Sequence, residues 1–119
     1  MFSETLKSAV DRVDGALACV LMGFDGIAID CAIAGDVGST DPKEIATELS
    51  AHLQRLRKTT KETGQGTLEE TLVRTGEMQA VVRVLDDDYF LLLLMNPTAM
   101  VGKGRYVLRT VAPAVRQHL

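Results

Sequence analysis

The sequence predicts an α/β sandwich of the α+β kind: one five-stranded antiparallel sheet in the order 2-1-5-4-3 carrying three helices, with the elements running α-β-β-α-β-β-β-α. Three observations lead there. GALACVLMGFDGIAIDCA, residues 15–32, sets two apolar runs on either side of Gly23-Phe24-Asp25-Gly26. Two glycines around an aspartate are what a turn with positive φ demands, so this is a hairpin corner rather than a ligand loop. Residues 67–95 hold three further runs separated by Thr75-Gly76 and by Asp86-Asp87-Asp88, which are tight-turn signals. Finally, Ala16–Met22 and Tyr89–Met95 are apolar on both faces and therefore belong in the middle of a sheet. With the hairpins joining first strand to second, third to fourth and fourth to fifth, one order satisfies all three observations.

In order along the chain, residues 3–13 form a helix with Ser3 as N-cap and Leu6, Ala9, Val10 and Val13 on one face. Asp14-Gly15 ends it. The first strand, Ala16–Met22, is followed by Ile27–Ile33, where Ile27, Ile29, Cys31 and Ile33 share one face and Ala28, Asp30 and Ala32 the other. A hairpin that pairs Met22 with Ile27 sets Cys19 opposite Asp30 and Cys31 opposite Ala18. The thiols then lie on different sides of the sheet. Neither cysteine belongs to a CxxC pattern or a zinc set, so buried free thiols are expected.

After a connector at Ala34–Thr40, Asp41-Pro42-Lys43-Glu44 supplies an N-cap, a proline at the first helical position and a Glu three residues after the cap. This second helix runs to about Thr63, with Ile45, Leu49, Leu53 and Leu56 as its apolar stripe. Arg55, Arg57, Lys58 and Lys61 suit its negative end. Strands follow at Thr67–Thr75, Glu77–Leu85 and Tyr89–Met95. A last helix spans about Thr98–Leu119, with Val101, Leu108, Val111, Ala112, Val115 and Leu119 on one stripe and Pro113 expected to kink it or end its regular part.

The third strand is an edge in this order. It carries no proline, which leaves it open to pairing with another chain. Glu69, Thr71 and Val73 are the expected dimer edge, and prolines at Thr71 and Val73 are expected to weaken self-pairing.

Composition narrows the function. The 46% hydrophobic and 24% charged residues argue against disorder. A net charge of -3 gives no electrostatic reason to expect nucleic acid. The apolar run Phe90–Met95 is far short of the roughly 20 residues of a membrane helix. No signal peptide is visible, so a cytoplasmic protein without membrane insertion is expected. Gly35-Asp36-Val37-Gly38-Ser39-Thr40 lacks the spacing and lysine of a phosphate loop. Asp86-Asp87-Asp88 lacks the spaced ligands of a calcium loop. His52 and His118 stand in no nucleophile motif. Neither a cofactor nor a metal is expected. Lys103, Arg105, Arg109 and Arg116 make the last helix basic and flank its apolar stripe; their stems suit a solvated face, or the docking of an acidic surface.

Taken together, the order of elements and several local marks resemble the Roadblock/dynein light chain family. The marks are the Asp14-Gly15 entry, the Gly23–Gly26 hairpin, the Asp41 helix start, the Tyr89-Phe90-Leu91 strand, and Gly102-Lys103-Gly104-Arg105 opening the last helix. The resemblance implies a single Roadblock-like domain over residues 1–119 and homodimers that continue the sheet across two copies. It also implies a non-enzymatic role, because the family shares no catalytic triad or arginine finger. Bacterial members of the gliding-motility regulator (MglB) type bind small Ras-like GTPases, as activators or regulators that order the switch region. Eukaryotic relatives are light chains or scaffolds. The expected function is therefore a homodimeric regulator of a small Ras-like GTPase. Its alternatives are a scaffold without nucleotide-dependent binding and, less in keeping with the small aliphatic residues, a small-ligand sensor. The expected contact is the face built from the two long middle helices. His52, Arg55, Lys103, Arg105 and Arg109 are the helix residues expected to meet a partner.

Overall fold

The computed structural model describes residues 2–119. Its elements are α1 (Ser3–Asp11), β1 (Ala16–Gly23), β2 (Ala28–Ile33), α2 (Pro42–Glu62), β3 (Glu70–Arg74), β4 (Gln79–Val84), β5 (Tyr89–Met95) and α3 (Val101–Arg116). The strands form one antiparallel sheet in the expected order β2-β1-β5-β4-β3.

β1 and β5 are apolar on both faces because both faces are covered. Cys19, Leu21, Leu91, Leu93 and Met95 pack with Leu6 and Val10 of α1 and with Val107, Leu108 and Val111 of α3. On the other face Ala18, Val20, Met22, Phe90, Leu92 and Leu94 pack with Ala46 and Leu53 of α2. The layers are thus α1 and α3, sheet, α2. Gly104 lets α3 approach β5 closely: a Cβ there would stand 2.7 Å from the Met95 sulfur and 3.0 Å from a Leu93 methyl. Among the described residues, no helix is long and apolar enough to cross a membrane.

Asp41 caps α2 as expected, its Oδ1 accepting from the Lys43 N–H at 3.0 Å. The stripe that α2 buries differs from the expected one. Ala46, Ser50 and Leu53 are buried, Ile45 and Leu49 are half-buried, and Leu56 is 38% exposed. Small residues turned to the sheet let the helix settle close to it, and the larger aliphatics are left along the flank. α1 likewise starts without a side-chain cap. Ser3 Oγ instead donates to Asp30 Oδ2 at 2.8 Å. α3 stays helical through Pro113 to Arg116, where a missing N–H costs one bond near the helix end. Its buried stripe gains Gly104 and Val107 and does not include Leu119.

The β1–β2 register also departs from expectation. Cys19 lies opposite Ala32, Cys31 opposite Val20 and Met22 opposite Ala28, with an irregularity that leaves Ile29 as an extra residue. A bulge of this kind changes which side chains share a face: Ala28, Cys31 and Ile33 now belong to the α2 side. The opposing residues are displaced by two positions, an even number, so the thiols still fall on different faces. Cys19 lies in the α1/α3 core and Cys31 against the α2 core.

Both thiols are free. Burial, with a smaller contribution from Cys31, pushes the Cys19 thiol up to about 12. Burial also raises Cys31, opposed by nearby Lys43. In the unfolded chain Cys19 would ionise near its ordinary 9.0. Its contribution to stability is therefore full below about pH 9 and falls as the pH rises toward about 12. Cys19→Ala is expected to lose less melting temperature than the parent between about pH 8 and 10, as followed by thermal circular dichroism. Equal losses would show that this thiol does not carry the alkaline instability.

Candidate functional site

The two free edges of the sheet differ in what their backbone offers. At β3, the Val84 N–H donates to the Glu69 carbonyl and the Thr75 N–H to the Met78 carbonyl, both at 2.9 Å. These bonds bracket the β3–β4 ladder, in which Thr71 faces Val82 and Val73 faces Ala80. Backbone groups alternate sides along an antiparallel strand. Glu69, Thr71 and Val73 therefore turn their N–H and C=O inward to β4. The open groups belong to Glu70, Leu72 and Arg74. This reverses the expected edge set, because a hydrogen-bonding phase follows from the turn at Thr75–Met78 and not from the residue types. Side chains alternate as well. Val73 packs on the α2 core, and Leu72, opposite Val81 of the α1/α3 core, is 42% exposed.

At β2, the Ala34 N–H donates to the Leu17 carbonyl at 2.9 Å, so Asp30 and Ala32 turn inward and Cys31 and Ile33 outward. The outward Cys31 N–H does not remain open. Asp30 Oδ1 accepts it at 2.8 Å, while Oδ2 is held by Ser3 of α1. The carboxylate thus takes up one outward donor of an edge whose flanking Ile27 and Ile33 are 62% and 56% exposed. Asp30→Ala should open this second edge and produce concentration-dependent assemblies larger than the parent's, measured by sedimentation velocity. An unchanged size distribution would show that the aspartate guards nothing.

The helix residues expected to meet a partner form two sets. His52 and Arg55 are exposed on α2, and Lys103, Arg105 and Arg109 are exposed on α3, on the opposite side of the sheet. One protomer cannot bring them together. Arg105 is engaged within the chain: its Nε donates to Glu70 Oε1, and Arg83 lies 3.7 Å from Glu70 Oε2. Lys103 Nζ sits 5.7 Å from the Tyr106 ring centre.

Two anchors escaped the sequence reading. Arg57 stacks on the Phe24 ring at 3.9 Å and reaches Asp87 at 3.7 Å, tying α2 to the β1–β2 and β4–β5 corners. Buried Gln79 donates to the carbonyls of Asn96 at 3.1 Å and Ala99 at 2.9 Å, fixing the passage from β5 to α3. Arg57 looked like one more helix-end cation, and nothing singled out Gln79 within the Glu77–Leu85 strand. Beside α2, a groove of about 410 Å³ is floored by Ile45, Leu49 and Met78 and rimmed by Asp41, Glu44 and Glu48. Among the described residues no group of three or more His, Cys, Asp or Glu could hold a metal ion. The arrangement offers a strand to pair with and helix faces to dock on.

Residues 2–96 match the Roadblock/LC7 domain. Among solved structures the chain is similar to MglC from Myxococcus xanthus, with 39% identity over 99% of this chain and 98% of that one and a TM-score of 0.71. It is similar in fold to the gliding protein MglB from Thermus thermophilus, with 19% identity, coverage of 96% and 84%, and a TM-score of 0.84. An MglB in a tetrameric arrangement gives 20% identity, the same coverage of 96% and 84%, and a TM-score of 0.85. No curated protein matches the chain. The family match spans most of the chain and the likeness to MglC nearly all of it: the chain belongs to the Roadblock/LC7 family.

Proposed function

We propose that the chain is a homodimeric, non-catalytic regulator of a small Ras-like GTPase, working in the cytoplasm. The observation that carries the dimer is the contrast between the edges: at β2 Asp30 takes up the outward Cys31 N–H, while β3 offers the backbone groups of Glu70, Leu72 and Arg74. One open edge per copy gives a closed pair, whereas two would give an open-ended array. The tetrameric arrangement of an MglB supports self-association in this family. Kinship with MglC and likeness to a gliding protein support a regulatory role.

Pairing β3 with its copy in one continuous sheet puts both α2 helices on the same side, running antiparallel. Exposed His52 and Arg55 of each copy then share one platform, which is the surface proposed for the GTPase. Lys103, Arg105 and Arg109 lie on the far side and are not part of it. Such a platform supplies no reacting group. It acts by binding one nucleotide state better than the other, and it shifts the switch population by as much as those affinities differ.

The test is retention of a Ras-like GTPase from native lysate on the tagged protein, with a GTP analogue or GDP present. Retention chiefly in one nucleotide state is the expected result. Equal retention in both, or retention only of partners that are not GTPases, would overturn the regulator in favour of a scaffold.

A further inference from the structure

We infer that the exposed face of α3 adheres to an anionic lipid surface without entering it. The inference goes beyond the regulator proposed above and rests on its homodimer only for the doubling of that face. α3, Val101–Arg116, carries Lys103, Arg105, Arg109 and Arg116 and not one acid, in a chain whose net charge is -3. The helix is about 24 Å long at 1.5 Å per residue, and Arg105, Arg109 and Arg116 fall in one row along it. Arg109 and Arg116 form no ion pair with the described residues. Arg105 holds Glu70, which Arg83 also meets, so the carboxylate that touches the row is already shared between two guanidiniums. At the start of the helix Lys103 and Arg12 line one hollow of about 620 Å³, which also holds Asp14, and Met100 beside them is 80% exposed.

Cations spread along a helix fit a planar surface better than a peptide. An acidic helix would need a groove for its apolar anchors, and the hollow beside Arg105 and Arg109 measures only about 160 Å³. The headgroups of an anionic leaflet are numerous and mobile, so each cation finds its own counter-charge, a gain of about fivefold in affinity apiece. The apolar stripe of α3, from Val107 to Val115, is buried in the core shared with α1. The helix therefore has no free apolar face to insert, and contact stops at the headgroups. Tyr106, 51% exposed, suits that depth, where rings with a polar tip collect. In the homodimer proposed above both α3 helices lie on one side of the sheet and both α2 helices on the other. Adhesion through α3 then doubles the cations that meet the leaflet and turns the α2 platform toward the cytoplasm, where a GTPase can reach it.

The test is cosedimentation of the full chain with vesicles of phosphatidylcholine, alone or with about a third phosphatidylglycerol, at low and at high salt. Retention on the anionic vesicles alone, lost at high salt, is the expected result. Arg109→Gln combined with Arg116→Gln should weaken that retention at least about thirtyfold. Lys58→Gln combined with Lys61→Gln makes the same change of charge on α2 and should leave it as in the parent. Circular dichroism confirms that both double variants fold. An arginine double variant that binds like the parent, or equal losses in the two, would overturn α3 as the adhering face, as would retention on neutral vesicles that ignores salt. No retention on the anionic vesicles would overturn the lipid surface; saturable binding of polyglutamate, lost in the arginine double variant, would then assign the face to an acidic protein. Sedimentation velocity without vesicles reads the dimer separately: a monomer retained through α3 would overturn the homodimer and leave this inference standing.

Discussion

An aspartate at Leu53 is expected to abolish cooperative folding, whereas one at Leu49 leaves the protomer folded. Leu53 is 4% exposed and sits in the core between α2 and the sheet. Losing its apolar contacts and burying a carboxylate there costs about 5 kcal/mol, against a typical total stability of about 5–15 kcal/mol. Leu49 lies on the groove beside Met78 and Glu48, half-buried, where a carboxylate can turn to water. Its substitution should cost about 1 kcal/mol, in the ordinary range for a residue outside the core. Urea unfolding followed by circular dichroism separates the two variants. A parent-like midpoint for Leu53→Asp, or a loss as large for Leu49→Asp, would show that α2 presents a different stripe to the sheet.

That contrast marks where the sequence stopped being informative about α2. The start of the helix was legible because Asp41-Pro42 satisfies a local requirement, a cap followed by a residue with no N–H to place. The stripe was not. Ala46 and Ser50 carry little hydrophobicity, while Ile45, Leu49 and Leu56 carry much, so periodicity favours the larger residues. The sheet below is already filled by Phe90, Leu92 and Met22, and at that density small residues pack best against it. Sheet order was legible for the opposite reason: β1 and β5 have no polar face to give to water, which leaves them only the centre. The register of β2 was hidden by one extra residue at Ile29. Ser3 was misjudged because its partner, Asp30, is distant in sequence.

The interaction surfaces were legible in the same uneven way. That β3 is an edge follows from topology, and topology followed from composition. Which of its backbone groups face outward depends on a single parity, set where the Thr75 N–H closes the turn onto Met78; no residue type announces it. The helix residues show a related gap. A wheel places Arg105 and Arg109 together on one helix, and His52 and Arg55 together on another, but it says nothing about which side of the sheet each helix covers. The capping of the Cys31 N–H by Asp30 could be sought in other chains as an aspartate in an edge strand whose neighbours are exposed isoleucines.

Prolines at adjacent β3 positions should therefore have opposite consequences. Thr71→Pro removes an N–H that points inward to the Val82 carbonyl, leaves that acceptor without its partner and places a ring against β4. A loss of about 3 kcal/mol is expected from the missing bond and the steric conflict together, seen as a large fall in melting temperature. Leu72→Pro removes an N–H that points away from the chain. Proline is tolerated on an edge strand in that orientation, and Thr71 before it is already extended, as the residue preceding a proline prefers. Its protomer should keep the parent's circular dichroism spectrum while sedimenting as a monomer, because both copies lose the central donor of the paired edges. If Leu72→Pro sediments as a full dimer and Thr71→Pro as a folded monomer, the outward phase of β3 is reversed. If both fold and both dimerise, self-association uses another surface. The pair thus separates the side of β3 that holds the protomer together from the free side proposed to pair with a second copy.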